Sequence, residues 1–351
     1  MTERRPRVLV VDDSAFARTV IARLLRASGA IDVVATARDG VDALERIGTL
    51  DPDIVTLDLT MPNVDGIGVL RALQGRRRPR VIVVSISTID TEIGAEALTL
   101  GAIDLIAKPT ALANDRLNEI GRELIAKVLA ASAGYAAAAD HVTAAAQAAA
   151  APPPPPSTAV RRTGAAELIM IGTSTGGPQA LTRLLTTLPA SLAAPVAMVL
   201  HIPAGYTASL AQRLNKLSAL EVIEAEEGLE LLPGQAVLAR GGMHLQIERI
   251  GARLVARLGT TPAHQFTPSV DELFATGTAA VGKGALGVVL TGMGDDGLAG
   301  ARLIAEAGGA LLTESAASCV VYGMPRCVYE AGLGAIEVSL ELMAEEIAKR
   351  A

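Results

Sequence analysis

The chain has 351 residues, half of them hydrophobic, a formal net charge of −6 and only two cysteines, Cys319 and Cys327. That length suits about two domains, and the acidic balance excludes non-specific nucleic-acid binding, which needs a positive face. Two cysteines without metal-ligand spacing exclude a disulfide framework or a thiolate zinc site and predict a reduced, cytoplasmic setting.

Aromatic residues make up 2% of the chain, so the cores must be aliphatic. No apolar run approaches the roughly 20 residues of a membrane span. The run Val8-Leu9-Val10-Val11, after Arg4, Arg5 and Arg7, is too short for a signal peptide. No membrane insertion is expected. The one dense basic run, Arg76-Arg77-Arg78-Pro79-Arg80, reads as a solvated loop.

Residues 1–130 alternate strand and helix signals five times. Val8-Leu9-Val10-Val11 reads as a buried strand, followed by Ser14 as the cap of a helix over 15–27. Val33-Val34-Ala35 is the second strand, with Asp39 capping a helix through Leu44. Ile54-Val55-Thr56-Leu57, Val81-Ile82-Val83-Val84 and Leu105-Ile106-Ala107 are the remaining strands. Such alternation predicts a parallel sheet with helices on both faces, whose working residues gather at the carboxyl ends of the strands. Those ends carry Asp12 and Asp13, then Asp58, Ser85 and Lys108-Pro109. Three carboxylates at one edge repel each other unless a cation joins them, and a hard divalent ion such as Mg²⁺ is the natural partner. A lysine and a hydroxyl beside them suit a transient phosphoryl group. Any one of these residues could merely cap or turn the chain; their recurrence at successive strand ends carries the functional reading.

This half resembles the receiver domain of two-component response regulators over residues 6 to about 128. The resemblance rests on Val10-Val11-Asp12-Asp13-Ser14, on Leu57-Asp58-Leu59-Thr60-Met61-Pro62-Asn63-Val64-Asp65-Gly66, and on Val84-Ser85 and Ala107-Lys108-Pro109. It implies a flavodoxin-like (βα)5 fold with Asp58 as phospho-acceptor and a histidine kinase as phosphodonor. It also implies Mg²⁺ on Asp12, Asp13 and Asp58, with Lys108 on the phosphoryl oxygens and Ser85 as the switch hydroxyl.

Residues 131–165 read as a linker. Alanine dominates 136–151, and Pro152 to Pro156 is an unbroken proline run that forces an extended, semi-rigid segment. Beyond it, Glu167-Leu168-Ile169-Met170-Ile171 is a buried strand, and Gly172-Thr173-Ser174-Thr175-Gly176 has the spacing of a nucleophile elbow before a helix from Gln179 to Leu188. The same residues would serve a glycine-rich turn that binds phosphate or closes a βα unit. Val196-Ala197-Met198-Val199-Leu200 is a strand ending at His201, and a helix runs from Ala208 to Lys216. Residues 221–258 read as β-hairpins, and 269–280 as helix. Gly287-Val288-Val289-Leu290 is a strand ending in Thr291-Gly292-Met293-Gly294-Asp295-Asp296-Gly297, with a helix over 298–307 and a strand over 310–313 following.

Ser174, His201 and an aspartate at 295 or 296 therefore all lie just past the carboxyl ends of parallel strands. A serine needs an imidazole to take its proton, and that imidazole needs a carboxylate to fix its tautomer. Of four histidines only His201 stands at a strand end. The order Ser, His, Asp differs from the Ser, Asp, His order of α/β-hydrolases, so the elbow does not imply that fold.

Residues 166–351 resemble the catalytic domain of the chemotaxis protein-glutamate methylesterase (CheB) family. The matching segments are Ile171-Gly172-Thr173-Ser174-Thr175-Gly176-Gly177-Pro178, His201-Ile202-Pro203-Ala204-Gly205-Tyr206-Thr207, Pro268-Ser269-Val270-Asp271-Glu272-Leu273-Phe274, Leu290 through Gly297, and Val320-Val321-Tyr322-Gly323-Met324-Pro325. The resemblance implies a doubly wound parallel sheet with a β-hairpin insert, Ser174 as nucleophile, His201 as base and Asp296 as its carboxylate. Backbone N–H groups of Gly176, Gly177 and Met293 would hold the oxyanion. No cofactor is expected at the esterase site, and the substrate would be a methylated chemoreceptor glutamate or a receptor glutamine. Thr60, Leu200, Thr267 and Thr313-Glu314-Ser315 depart from the family pattern. Two rival readings remain: a phosphorylation-switched binding protein without turnover, and a hydrolase of another ester.

Overall fold

A computed structural model describes residues 4–76, 79–86, 91–108, 120–133 and 165–351. In the first half, strands β1 (Arg7–Val11), β2 (Asp32–Ala37), β3 (Ile54–Leu57), β4 (Arg80–Ile86) and β5 (Ala102–Lys108) form one parallel sheet in the order β2-β1-β3-β4-β5. Helices α1 (Ala15–Ala27), α2 (Gly40–Leu50), α3 (Gly66–Leu73), α4 (Thr91–Thr99) and α5 (120–133) cover its faces. Local chemistry sets the helix starts: the Ser14 hydroxyl accepts from Ala17 N–H, and the carboxylates of Asp39 and Asp65 accept from Asp42 and Gly68 N–H. The fifth strand is longer than its apolar run predicts, so Lys108 is its last residue and Asp104 lies within it. The alanine- and proline-rich stretch falls outside the described residues from 134 to 164, and α5 continues three residues past position 130.

The second half holds a seven-stranded parallel sheet in the order β14-β13-β12-β6-β7-β9-β8. Its strands are β6 (Leu168–Thr173), β7 (Val196–Leu200), β8 (Glu221–Glu224), β9 (Gln235–Leu238), β12 (Ala285–Val289), β13 (Ala310–Glu314) and β14 (Ile336–Val338). Strands β10 (His244–Ile250) and β11 (Arg253–Gly259) form a separate antiparallel hairpin. The hairpin reading of 221–258 thus holds only from 244 onward. Residues 221–224 and 235–238 belong to the main parallel sheet, because Val222, Val237 and Leu238 are buried within it. Helices α6 (Gly177–Leu185), α7 (Thr207–Leu217), α8 (Val270–Val281), α9 (Leu298–Glu306), α10 (Met324–Glu330) and α11 (Leu340–Ala348) complete the fold. Among the described residues no helix is long and apolar enough to cross a membrane.

Strand order reverses between β6 and β12, which opens a crevice at their carboxyl ends. One apolar cluster runs from the first half into the second, joining Leu98 and Leu105 to Leu181, Tyr206 and Leu210. Tyr206 is 1% exposed, and its ring lies where a Cβ on Gly94 of α4 would stand, so only glycine fits there.

Candidate functional site

The crevice gathers residues from three strand ends. Ser174 follows β6, and its N–H donates to Thr291 O at 3.1 Å. Gly176, at φ +84°, turns the chain sharply into α6. Across the crevice Gly292 lies so close that a Cβ on it would stand 2.9 Å from Ser174 Cβ. Three hydroxyls stand in a row, and two are engaged. Thr173 Oγ1 donates to Thr291 O at 2.7 Å, and Thr175 Oγ1 to Asp104 Oδ2 at 2.6 Å. Among the described residues the Ser174 hydroxyl makes no hydrogen bond, and it faces a cavity of about 260 Å³ also lined by His201, Phe266, Pro268 and Met293.

His201 follows β7, with Nε2 2.8 Å from Asp296 Oδ2. The Phe266 ring stacks on the imidazole at 4.1 Å between centroids, with 14° between planes. An Nε2–H shared with a carboxylate leaves the basic lone pair on Nδ1, and among the described residues buried Nδ1 has no partner. Ser174 and His201 share the cavity but are not hydrogen-bonded to each other; such bonds commonly close only once substrate is bound. Of the two adjacent aspartates, Asp296 is buried against the histidine and Asp295 is exposed. The Asp296 carboxylate accepts from Ser269 Oγ at 2.9 Å, Val270 N at 2.8 Å and Asp271 N at 2.9 Å. Burial pushes its pKa up, but His201 and the α8 N–H groups outweigh it, so the carboxyl lies below its ordinary value.

The backbone donors differ from expectation. Gly177 N–H is taken by Ser174 O at 2.7 Å, and Gly176 N–H by Ile103 O of β5 at 2.8 Å. Neither is free to meet an oxyanion in this arrangement, because the tight turn uses one and the first domain the other. Met293 and Thr175, the residue after the serine, line the cavity, and their N–H groups find no acceptor among the described residues.

The first domain closes over this crevice. Asp104, bound to Thr175, also pairs with Lys127 Nζ of α5 at 2.8 Å, and Lys127 reaches Glu123 at 2.9 Å. Burial lowers the Lys127 pKa, but the two carboxylates outweigh it and hold it above its ordinary value. Lys127 and Glu123 line the same cavity as Ser174. Glu96 of α4 pairs with Arg213 of α7 at 2.9 Å, and Gln179 donates to Gly101 O.

At the other sheet edge, Lys108 Nζ lies 2.6 Å from Asp12 Oδ2 and 2.8 Å from Asp58 Oδ2. Carboxylate oxygens of Asp12, Asp13 and Asp58 all lie within 4.8 Å of one another. Burial raises the Asp12 pKa against the opposing pull of Lys108. An all-oxygen donor set of this charge fits Mg²⁺. Ser85 is buried at the end of β4.

Ser269, Asp271, Phe266 and Asp104 were not singled out individually by sequence reasoning. Ser269-x-x-Glu272 is a capping-box pattern that marks the α8 start, and Asp104 is a charge inside an apolar strand, which signals a buried partner. Of the departures, Leu200 is core at the end of β7, Thr60 is exposed, and Thr267 lies on the rim of the cavity.

The CheB methylesterase family matches residues 169–347, and the response regulator receiver domain matches 8–120. The chain is 54% identical over 341 residues to protein-glutamate methylesterase/protein-glutamine glutaminase 5 of Myxococcus xanthus (strain DK1622), covering 96% of this chain and 95% of that one. It is 43% identical over 354 residues to the protein-glutamate methylesterase/protein-glutamine glutaminase of Symbiobacterium thermophilum, covering 99% and 97%. Among solved structures, the catalytic domain of Thermotoga maritima CheB methylesterase is 34% identical with a TM-score of 0.52, covering 53% of this chain and 99% of that domain.

Proposed function

The chain belongs to the CheB methylesterase family, and we propose that it hydrolyses glutamate methyl esters, and deamidates glutamines, on methyl-accepting chemoreceptors under control of phosphorylation at Asp58. The observation that carries this reading is the Ser174 hydroxyl, without a hydrogen bond among the described residues, in one cavity with a histidine whose other nitrogen is bound to Asp296. Ser174 Oγ attacks the ester γ-carbonyl while His201 takes its proton, and Asp296 stabilises the imidazolium. The N–H groups of Met293 and Thr175, rather than those of Gly176 and Gly177, receive the oxyanion. His201 returns the proton to departing methanol, and water then repeats the sequence on the acyl-enzyme.

In the first domain, Asp12, Asp13 and Asp58 would hold Mg²⁺, which neutralises charge on a phosphoryl group in transfer. Asp58 takes that group from a histidine kinase, and Lys108 and Ser85 meet its oxygens. The contacts of Ile103, Asp104 and Lys127 at the elbow support inhibition by the first domain while Asp58 is unmodified. Phosphorylation repacks the receiver face and loosens that docking.

Methanol release from methylated receptor membranes tests the reading directly. The intact chain is expected to release methanol, faster with a small-molecule phosphodonor; receptor binding without methanol would favour the turnover-free alternative. Asp58→Asn should keep the unphosphorylated rate and lose the acceleration. Fragment 160–351, freed of the receiver, should exceed the unphosphorylated intact chain by about tenfold, a bias of about 1.4 kcal/mol. A fragment slower than the intact chain would end the occlusion idea.

A further inference from the structure

The loop that carries Asp296 has little conformational preference of its own. Gly294 (φ +91°) and Gly297 (φ +101°) flank it in the left-handed region, where glycine is also free to leave. Helix α9 is preceded by Gly297, which has no side chain to cap it. Its cap comes from another helix: Asp271 Oδ1 accepts from Gly297 N at 2.9 Å and from Gly300 N at 2.8 Å. In return the first turn of α8 receives the Asp296 carboxylate, through Ser269 Oγ and the N–H groups of Val270 and Asp271. The N-terminus of α9 is thus capped by an aspartate of α8, and that of α8 by the aspartate two residues before α9. Asp271 grips residue 296 from both sides, by its own N–H to the carboxylate and by its own carboxylate to the next N–H along.

We propose that Asp271 is the positioning residue that fixes Asp296 against His201. The assignment rests on the triad reading above and extends it to a residue that touches neither substrate nor imidazole. Without the Asp271 carboxylate the first turn of α9 loses its acceptors and the Gly297 backbone relaxes. Asp296 then drifts relative to His201, and a displacement of about 1 Å in such a constellation costs about 100-fold in rate. The other titratable groups facing this cluster are His244 of β10, whose Nδ1 accepts from Ser269 N at 3.1 Å, and His264 and Glu272, paired at 3.2 Å.

The test uses the full chain with Asp271→Ala and Asp271→Asn. The alanine variant is expected to lose about 10- to 100-fold in kcat with KM unchanged within about twofold. The asparagine variant keeps an acceptor oxygen for Gly297 and Gly300 and should restore most of kcat. NMR of the His201 ring proton shared with Asp296 reads the placement without turnover: its signal should move or broaden in Asp271→Ala and return in Asp271→Asn, which separates failure of this inference from failure of the esterase reading. Wild-type kcat in a folded Asp271→Ala, or a His201 ring-proton signal unchanged in Asp271→Ala, overturns it.

Discussion

Ser174→Ala should lower methanol release from methylated receptors by at least about 10⁴-fold, about 5.5 kcal/mol of transition-state stabilisation. The substitution leaves the turn intact, because the elbow is held by backbone and neighbouring hydroxyls. Ser174 N–H stays on Thr291 O, and Thr291 Oγ1 donates to Thr175 O at 2.9 Å. What disappears is the one hydroxyl of three that has no other partner among the described residues. Thr173 and Thr175 cannot replace it while their hydroxyls are committed to Thr291 and Asp104. Residues that act as a unit are strongly non-additive, so Ser174→Ala combined with His201→Ala should be no slower than either alone. A double variant slower by the product of the two single losses would mean that the side chains act in separate steps. Turnover retained in Ser174→Ala would move the nucleophile elsewhere.

Most of this site was legible in the sequence because its parts lie at strand ends, where a change from apolar to small or charged residues marks both the end of the strand and the start of the chemistry. Asp58, Lys108, Ser174 and His201 all stand at such transitions. The choice between Asp295 and Asp296 had no local signal. It is made by the N-terminus of α8, a helix that begins 26 residues earlier along the chain than Asp296. Where the Gly176 and Gly177 N–H groups go is hidden for the same reason, since a glycine's flexibility is visible locally but the acceptor its N–H finds is not. Gly176 finds Ile103, which is distant in sequence. The parallel pairing of β8 with β9 was likewise hidden. Period-two alternation marks a half-buried strand in either kind of sheet, and only the connection through residues 225–234 distinguishes them.

A group outside the reaction should give the largest stability effect. Glu314 ends β13 fully buried, with Oε2 accepting from Thr291 N–H at 2.8 Å and Oε1 without a hydrogen-bond partner among the described residues. Burial pushes its pKa up from 4.5 to about 7, against the smaller pull of the Thr291 N–H. Below pH 4.5 the carboxyl is protonated whether the chain is folded or not, and it costs nothing. Between 4.5 and about 7 the unfolded chain releases the proton while the folded one retains it, so stability falls as pH rises. Above that range the full cost persists, about 3 kcal/mol. Glu314→Gln keeps an acceptor for Thr291 and carries no charge at any pH. It should therefore stabilise the catalytic half by about 2–3 kcal/mol at pH 8.5, with the gain vanishing at pH 4.5. Urea unfolding of both proteins at the two pH values reads the difference. An equal gain at both would mean that the amide acts through packing rather than charge. A loss at pH 8.5 would mean that the carboxylate has a cationic partner. Because Thr291 also holds the backbone of the nucleophile, the same charge is expected to loosen the elbow as pH rises, tying the stability of the crevice to its chemistry.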